Sequence, residues 1–406
     1  MKIKTVVSLA LTIFVLFSLS LQVQAQEEQD KAFHVYWDEG LQFETADGNF
    51  HLELGGRIHN DWVFISGDDE LEAVVGPLEN GTEFRRLRLN FGGEIHEHVV
   101  FNIQLDFANG EVALKDVYAG LQGLPGVGRV QAGHFKEPFS LEEVTSSNNI
   151  TFMERSLGNV FAPSRNTGIM ARNTAFDRRM TWALGTFRDT DDSGTAVGDG
   201  DFNLTGRLTG LPWTDGSGQR LLHLGFAYSH RSPGDNLVRF RQRPEVHLSP
   251  RFVDTESLPA ESDDRIAAEA ALLFGPASVQ GEYFHVVLDR PAGTGDSFNA
   301  YYIQGSLVLT GEHRSYSNSS GAFGSVRPRS NFLSGSGNSG AWELAVRYSH
   351  LDLTDETIMG GKLDDFTLGL NWYLNPNARI MWNYVSSDRD GLGAANIFQM
   401  RFQINL

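Results

Sequence analysis

Three arginines, Arg85, Arg86 and Arg88, fall within one short run of the chain, and Arg57 precedes them. A guanidinium stays charged at physiological pH, and its planar fork donates two hydrogen bonds at once to a carboxylate or a phosphate. A row of such groups can replace an anion's hydration shell by a ladder of weak contacts. The same row, paired with acids such as Glu53, Asp61 and Asp106, would instead brace a wall. Spacing alone leaves both readings open.

Other chemistry is thinly represented. There is no cysteine, so thiol catalysis and Cys-based metal sites are excluded. The 12 histidines are scattered without metal-site spacing; His96 and His98 flank a turn, and His51 and His59 share one face of a strand. Asp189-Thr-Asp191-Asp-Ser193-Gly194 begins like a calcium loop, but its twelfth position is Gly200 where a calcium loop has Glu. It reads as a solvated acidic loop. No G-x-S-x-G element and no nucleophile, base and orienter set is present. Neither a cofactor nor a metal is expected.

The elements that must position the arginines repeat with period two. Phe366, Leu368, Leu370, Trp372 and Leu374 alternate with less apolar residues, as do Phe398, Met400, Phe402, Ile404 and Leu406. A helix would scatter each set around its circumference, whereas a strand puts it on one face. The pattern predicts sixteen strands at 49–65, 82–94, 98–108, 114–123, 128–137, 165–175, 178–188, 200–211, 219–231, 263–275, 277–290, 297–311, 341–351, 362–374, 378–388 and 395–406. Short turns alternate with longer polar loops at 66–81, 138–164, 189–200, 232–264 and 352–361. That alternation describes a transmembrane antiparallel β-barrel. Residues 312–340, rich in Ser, Gly and Asn, read as a long loop or one further hairpin. Trp62, Phe64, Trp182, Tyr228, Trp342, Tyr348, Trp372, Tyr373, Trp382 and Tyr384 fall near strand ends, where interfacial girdles form.

Parity then assigns faces. Leu87, Leu89 and Phe91 point to lipid, which turns Arg86, Arg88 and Asn90 into the lumen; Asn102, Gln104, Asp106, Asp116 and Tyr118 follow from the next strands. Arg85 has the lipid-facing parity. An arginine at mid-depth on that face costs about 2–4 kcal/mol, so Arg85 belongs at the rim or at a bulge, unless the register slips by one there.

Export and charge agree with a barrel. Residues 1–25 have a basic start, an apolar core and a small residue at Ala25, the pattern of a cleaved signal peptide. Residues 26–48 would form a short periplasmic segment and 49–406 the barrel. No later stretch is apolar enough for a membrane helix. The formal charge of −18 repels nucleic acid. Outer-membrane lipid and lipopolysaccharide are the expected surroundings.

The runs Glu83-Phe-Arg-Arg-Leu-Arg-Leu89, Gln131-Ala-Gly-His-Phe-Lys-Glu-Pro-Phe-Ser-Leu-Glu142 and Thr145-Ser-Ser-Asn-Asn-Ile-Thr-Phe-Met-Glu-Arg155 resemble the phosphate-selective porin O and P family. The resemblance implies a sixteen-stranded, usually trimeric outer-membrane channel with an inward-folded third loop, here 138–164. It implies passage of phosphate or polyphosphate along Arg and Lys side chains. On this chain the family's paired arginines fall on Arg85 and Arg86, with Arg57 and Lys136 as looser matches and Arg155 near the narrowest point. Pore-lining candidates are therefore Arg57, Arg85, Arg86, Arg88, Asp116, Lys136 and Arg155, acting on small anions. A general or carbohydrate-type diffusion channel is the alternative, although Tyr118 and Tyr302 alone make a poor stacking track. A barrel-borne enzyme would need an outward Ser/His pair or acidic dyad near one rim, and none is apparent.

Overall fold

The structure is a computed structural model that describes residues 33–406 apart from 39, 199–201, 292–294, 336 and 357. The signal-peptide expectation lies outside the described residues. Sixteen antiparallel strands form the wall: β1 (Phe50–Gly67), β2 (Gly81–Ile95), β3 (Val99–Asp106), β4 (Ala113–Leu124), β5 (Gly128–Lys136), β6 (Arg165–Ala175), β7 (Met180–Arg188), β8 (Asn203–Thr214), β9 (Arg220–Arg231), β10 (Ser262–Phe274), β11 (Ala277–Asp289), β12 (Gly295–Val308), β13 (Ala341–Asp355), β14 (Ile358–Asn375), β15 (Ala378–Arg389) and β16 (Gly393–Asn405). Each strand pairs with its neighbour in sequence, and β16 pairs with β1 from Ala395 opposite Gly67 to Asn405 opposite Arg57. Closure removes every edge from the wall, which a membrane requires. Two shorter strands, Phe33–Trp37 and Leu41–Thr45, form a hairpin that pairs with the start of β1.

The apolar parity sets face outward, as Phe84, Leu89, Leu208, Ile303, Leu344 and Phe402 show by their exposure. Trp342, Trp372 and Trp382 stack nearly parallel on three successive strands, forming one arc of a girdle. Tyr373 does not join it. Its parity is opposite to that of Trp372; it is buried inside, and its hydroxyl donates to Glu343 at 2.7 Å. The expected loop at 352–361 is likewise mostly strand, because Leu351, Leu353 and Ile358 bury against the interior and carry the pairing of β13 and β14 on to Asp355 opposite Ile358.

The lumen is filled unevenly. The segment 137–164 folds inward and buries Phe139, Leu157 and Phe161 completely. Phe240, Phe252 and Val253 of the segment 232–261 join them against Phe284, Phe298 and other wall residues of the C-terminal half. Each such side chain contributes about 1.5–3 kcal/mol on burial, enough to keep that half closed. From the opposite mouth the long connection between β12 and β13 sends in a hairpin, Arg314–Ser317 paired with Ala322–Val326. Its Phe323 packs on Leu141, and Arg314 donates to the Asn149 carbonyl at 3.3 Å. A long insertion on the side of the short turns departs from the expected alternation. Its cause is local: Tyr316 and Phe323 have apolar partners only inside the barrel.

Candidate functional site: an arginine-lined constriction

What remains open lies against β1 to β8. On β2 the register against β1 slips between His59, opposite Arg86, and Asn60, opposite Phe84. Arg85 is the unpaired residue of this β-bulge, so two successive side chains face inward while Phe84 and Leu87 stay outside. A strand of strict alternation cannot place adjacent arginines in one lumen; the bulge does. Both then meet the same acid. Arg85 holds the two oxygens of Glu154 through Nε and Nη2 at 2.9 Å each, and Arg86 lies 3.8 Å from it.

Deeper in the lumen is a cavity of about 360 Å³, whose lining includes Arg57, Arg86, Arg88, Asp116, Lys136, Arg155 and Arg165. Most of these cations are already paired. Arg88 Nε donates to Asp106 at 2.7 Å, and Arg165 Nη2 to Asp116 at 2.8 Å. Lys136 and Arg155 both reach Glu143, each at 3.2 Å, and Arg155 also donates to the carbonyls of Glu142, Glu143 and Thr145. Arg57 differs. Its Nη1 donates to the hydroxyls of Ser147 at 2.8 Å and Ser146 at 3.4 Å, and no carboxylate among the described residues forms an ion pair with it. A second cavity, of about 210 Å³, shares Arg57, Asn90, Gln104 and Ser146 with the first and continues to the β16 end through Asn377, Asn405 and Leu406. Of the seven sequence candidates, the structure brings six together on this cavity; Arg85 sits above it on Glu154.

A family model described as phosphate-selective porin O and P matches residues 52–406. The chain belongs to this porin family. Among its relatives is Porin O of Pseudomonas aeruginosa, 28% identical over 86% of each chain. An uncharacterized protein of Caulobacter vibrioides is 30% identical over 88% of this chain and 72% of its own. Solved structures with the same fold include an anion-selective porin from Comamonas acidovorans, with a TM-score of 0.57, 13% identity, and 87% of this chain and 99% of that one covered. The trimer form of OmpT from Vibrio cholerae aligns with a TM-score of 0.54 and 11% identity over 87% and 99% of the two chains. This porin is an outer-membrane β-barrel.

Several residues at the porin's constriction were not singled out by sequence. Arg165 opens β6 and leans on Asp116 of β4; strand order, invisible in composition, makes them neighbours. Ser146 and Ser147 come from the inward loop, and Ser319 and Ser320 from the tip of the inner hairpin. Outside the lining of the cavity, Arg239, Arg241, Arg243 and Arg251 lie in the segment 232–261, between β9 and β10. Burial and the neighbouring positive charge of Arg85 both push Arg243 below its ordinary pKa. The R-x-R-x-R spacing of 239–243 was the legible signal. The acidic loop resembling a calcium site is internally satisfied: Asp189 pairs with Arg231, and Asp191 accepts from its own turn at Ser193 and Thr195.

The inward loop is held by charge. Burial alone would raise the Glu154 carboxyl, but Arg85, Arg86 and Arg401 outweigh it and hold it well below the usual carboxylate range. Burial opposes ionisation of Glu143 in the same way, and Arg155 and Lys136 reverse it. A carboxylate with a depressed native pKa contributes stability that is complete above its unfolded value and lost as pH falls through the native one. Single-channel conductance of the porin is therefore expected to stay constant from pH 7 down to about 4.3, the unfolded glutamate value, and to change below it only once Glu143 and Glu154 are both protonated. A transition centred above that value would show that these pairs do not seat the loop.

Proposed function

We propose that the porin passes small oxyanions, phosphate or polyphosphate, by passive diffusion through the arginine-lined side of the lumen. The observation that carries this is Arg57: a lumenal guanidinium bonded to serine hydroxyls, with no carboxylate among the described residues in an ion pair with it, on a cavity also lined by Arg88, Lys136, Arg155 and Arg165. Serine hydroxyls and a guanidinium together suit a tetrahedral oxyanion. The description of the family supports phosphate as the solute class, and the trimer form of OmpT supports a homotrimer. Residues 1–25 serve as an export signal, lipopolysaccharide and phospholipid contact the outer wall, and no catalysis takes place.

The test is the reversal potential in planar bilayers under a salt gradient, with inorganic phosphate as blocker. The parent channel is expected to be anion-selective and blocked by phosphate. Arg57→Ala should raise the half-blocking phosphate concentration about tenfold, the worth of one charge-assisted hydrogen bond. A second reading is favoured by the pairs Arg88–Asp106 and Arg165–Asp116, which brace the wall as in an unselective diffusion channel. Unselective current, indifferent to Arg57→Ala, would decide for it.

A further inference from the structure

Glu154 occupies the place an oxyanion would take at the mouth-side step of the constriction. A carboxylate and a phosphate present arginine with the same pair of acceptor oxygens. Arg85 spends Nε and Nη2 on the two oxygens of Glu154, a fork-to-fork match. Arg401 adds a third donor to Oε1 at 2.8 Å, and Arg86, nearly fully buried, keeps Nη1 at 3.8 Å. The carboxylate is not needed to satisfy Arg401, whose Nε and Nη2 already hold both oxygens of Asp61 at 2.6 Å. Nor does the side chain alone fix the backbone there, since Arg347 Nη2 donates to the Glu154 carbonyl at 3.0 Å and Arg401 donates to the Met153 carbonyl.

We infer that Glu154 is a built-in counter-ion that sets the channel's affinity for its solute. With the carboxylate in place, Arg85 and Arg86 do not hold a passing anion tightly; they attract it toward Arg57 and let it go. Arg85 remains about one-fifth exposed, so the carboxylate does not seal it from solvent. Conduction needs binding strong enough to admit an ion and weak enough to release it, and a doubled arginine with no counter-ion would be a trap. The residues thus divide the work: Arg57 binds beside serine hydroxyls without a carboxylate ion pair among the described residues, whereas Arg85 and Arg86 form a step held shallow by an internal competitor.

This inference rests on the anion-channel reading, and the experiment separates the two. Glu154→Gln keeps the side chain's length and one acceptor but removes the charge. Phosphate block is measured from the side of the 66–81 loop, in parent, Glu154→Gln, and Glu154→Gln/Arg85→Ala. Removing a negative charge within direct contact of a guanidinium should lower the half-blocking concentration about tenfold or more. Phosphate dissociation should slow to match, and the Arg85→Ala replacement should abolish the gain. A parent channel without anion selectivity overturns the functional reading itself. An anion-selective parent whose Glu154→Gln variant binds phosphate equally or more weakly overturns the counter-ion alone. Conductance in molar salt, where surface charge is screened, shows whether the loop has stayed seated; a gain in block accompanied by a widened pore at high salt also counts against it.

Discussion

Arg347→Ala is expected to release the inward loop and raise single-channel conductance several-fold. Arg347, on β13, is fully buried; its Nη1 reaches Glu142 at 3.1 Å, its Nε reaches Glu245 at 3.0 Å, and Nη2 holds the Glu154 carbonyl. Its guanidinium also lies 4.4 Å from the centre of the Phe152 ring. One wall residue thereby ties the segment 137–164 to the segment 232–261. Removing it leaves two carboxylates inside the barrel without their cation, a loss of about 3–5 kcal/mol when one partner of a buried pair is deleted. The wall itself, closed by backbone hydrogen bonds, should survive, so the cost falls on the loop. Conductance traces and proteolysis of the folded protein between 137 and 164 give the readout. An unchanged conductance with an uncut loop would mean that the apolar contacts of Phe139 and Phe161 suffice alone.

The second large effect is expected at the tip of the inner hairpin. Gly321 has a φ of 60°, and a Cβ there would stand 2.6 Å from the Thr209 hydroxyl and 3.0 Å from that of Thr181. Arg207 completes the socket by donating to the carbonyls of Ser320 and Gly321 while held by Glu269 at 2.7 Å. Gly321→Val combines a clash with a backbone strain of about 1–3 kcal/mol for a branched residue in that region. The hairpin should leave its socket and the lumen should widen below the constriction. Higher conductance with anion preference retained is the expected result; a drop in conductance would mean that the displaced hairpin blocks the channel instead of vacating it.

Much of this architecture was legible because a barrel writes its two faces into every strand. Leu87, Leu89 and Phe91 on one side and Arg86, Arg88 and Asn90 on the other need no long-range information. Arg85 broke the alternation, and the break marked the bulge that sets two arginines on one acid. What the alternation could not supply was partnership across the lumen. Arg401 reads as inward, but nothing nearby in the chain announces Asp61 or Glu154. Tyr373 was assigned to a girdle by its type and position near a strand end, although its parity already placed it inside. The hairpin within 312–340 was ambiguous because its polar composition matches a solvent loop, and only Tyr316 and Phe323 draw it into the barrel.

The seam between β1 and β16 bears on how the molecule is assembled. Arg401 and Asp61 stand opposite each other across it, joined by two bonds of 2.6 Å, and the same guanidinium carries the inward loop at Met153 and Glu154. The first and last wall strands to be synthesised therefore complete the seat for a segment made in between. Until they zip together the loop has only part of its anchorage, and once they do it is locked from the C-terminal side. Closure of the wall and narrowing of the lumen thereby share one side chain, Arg401.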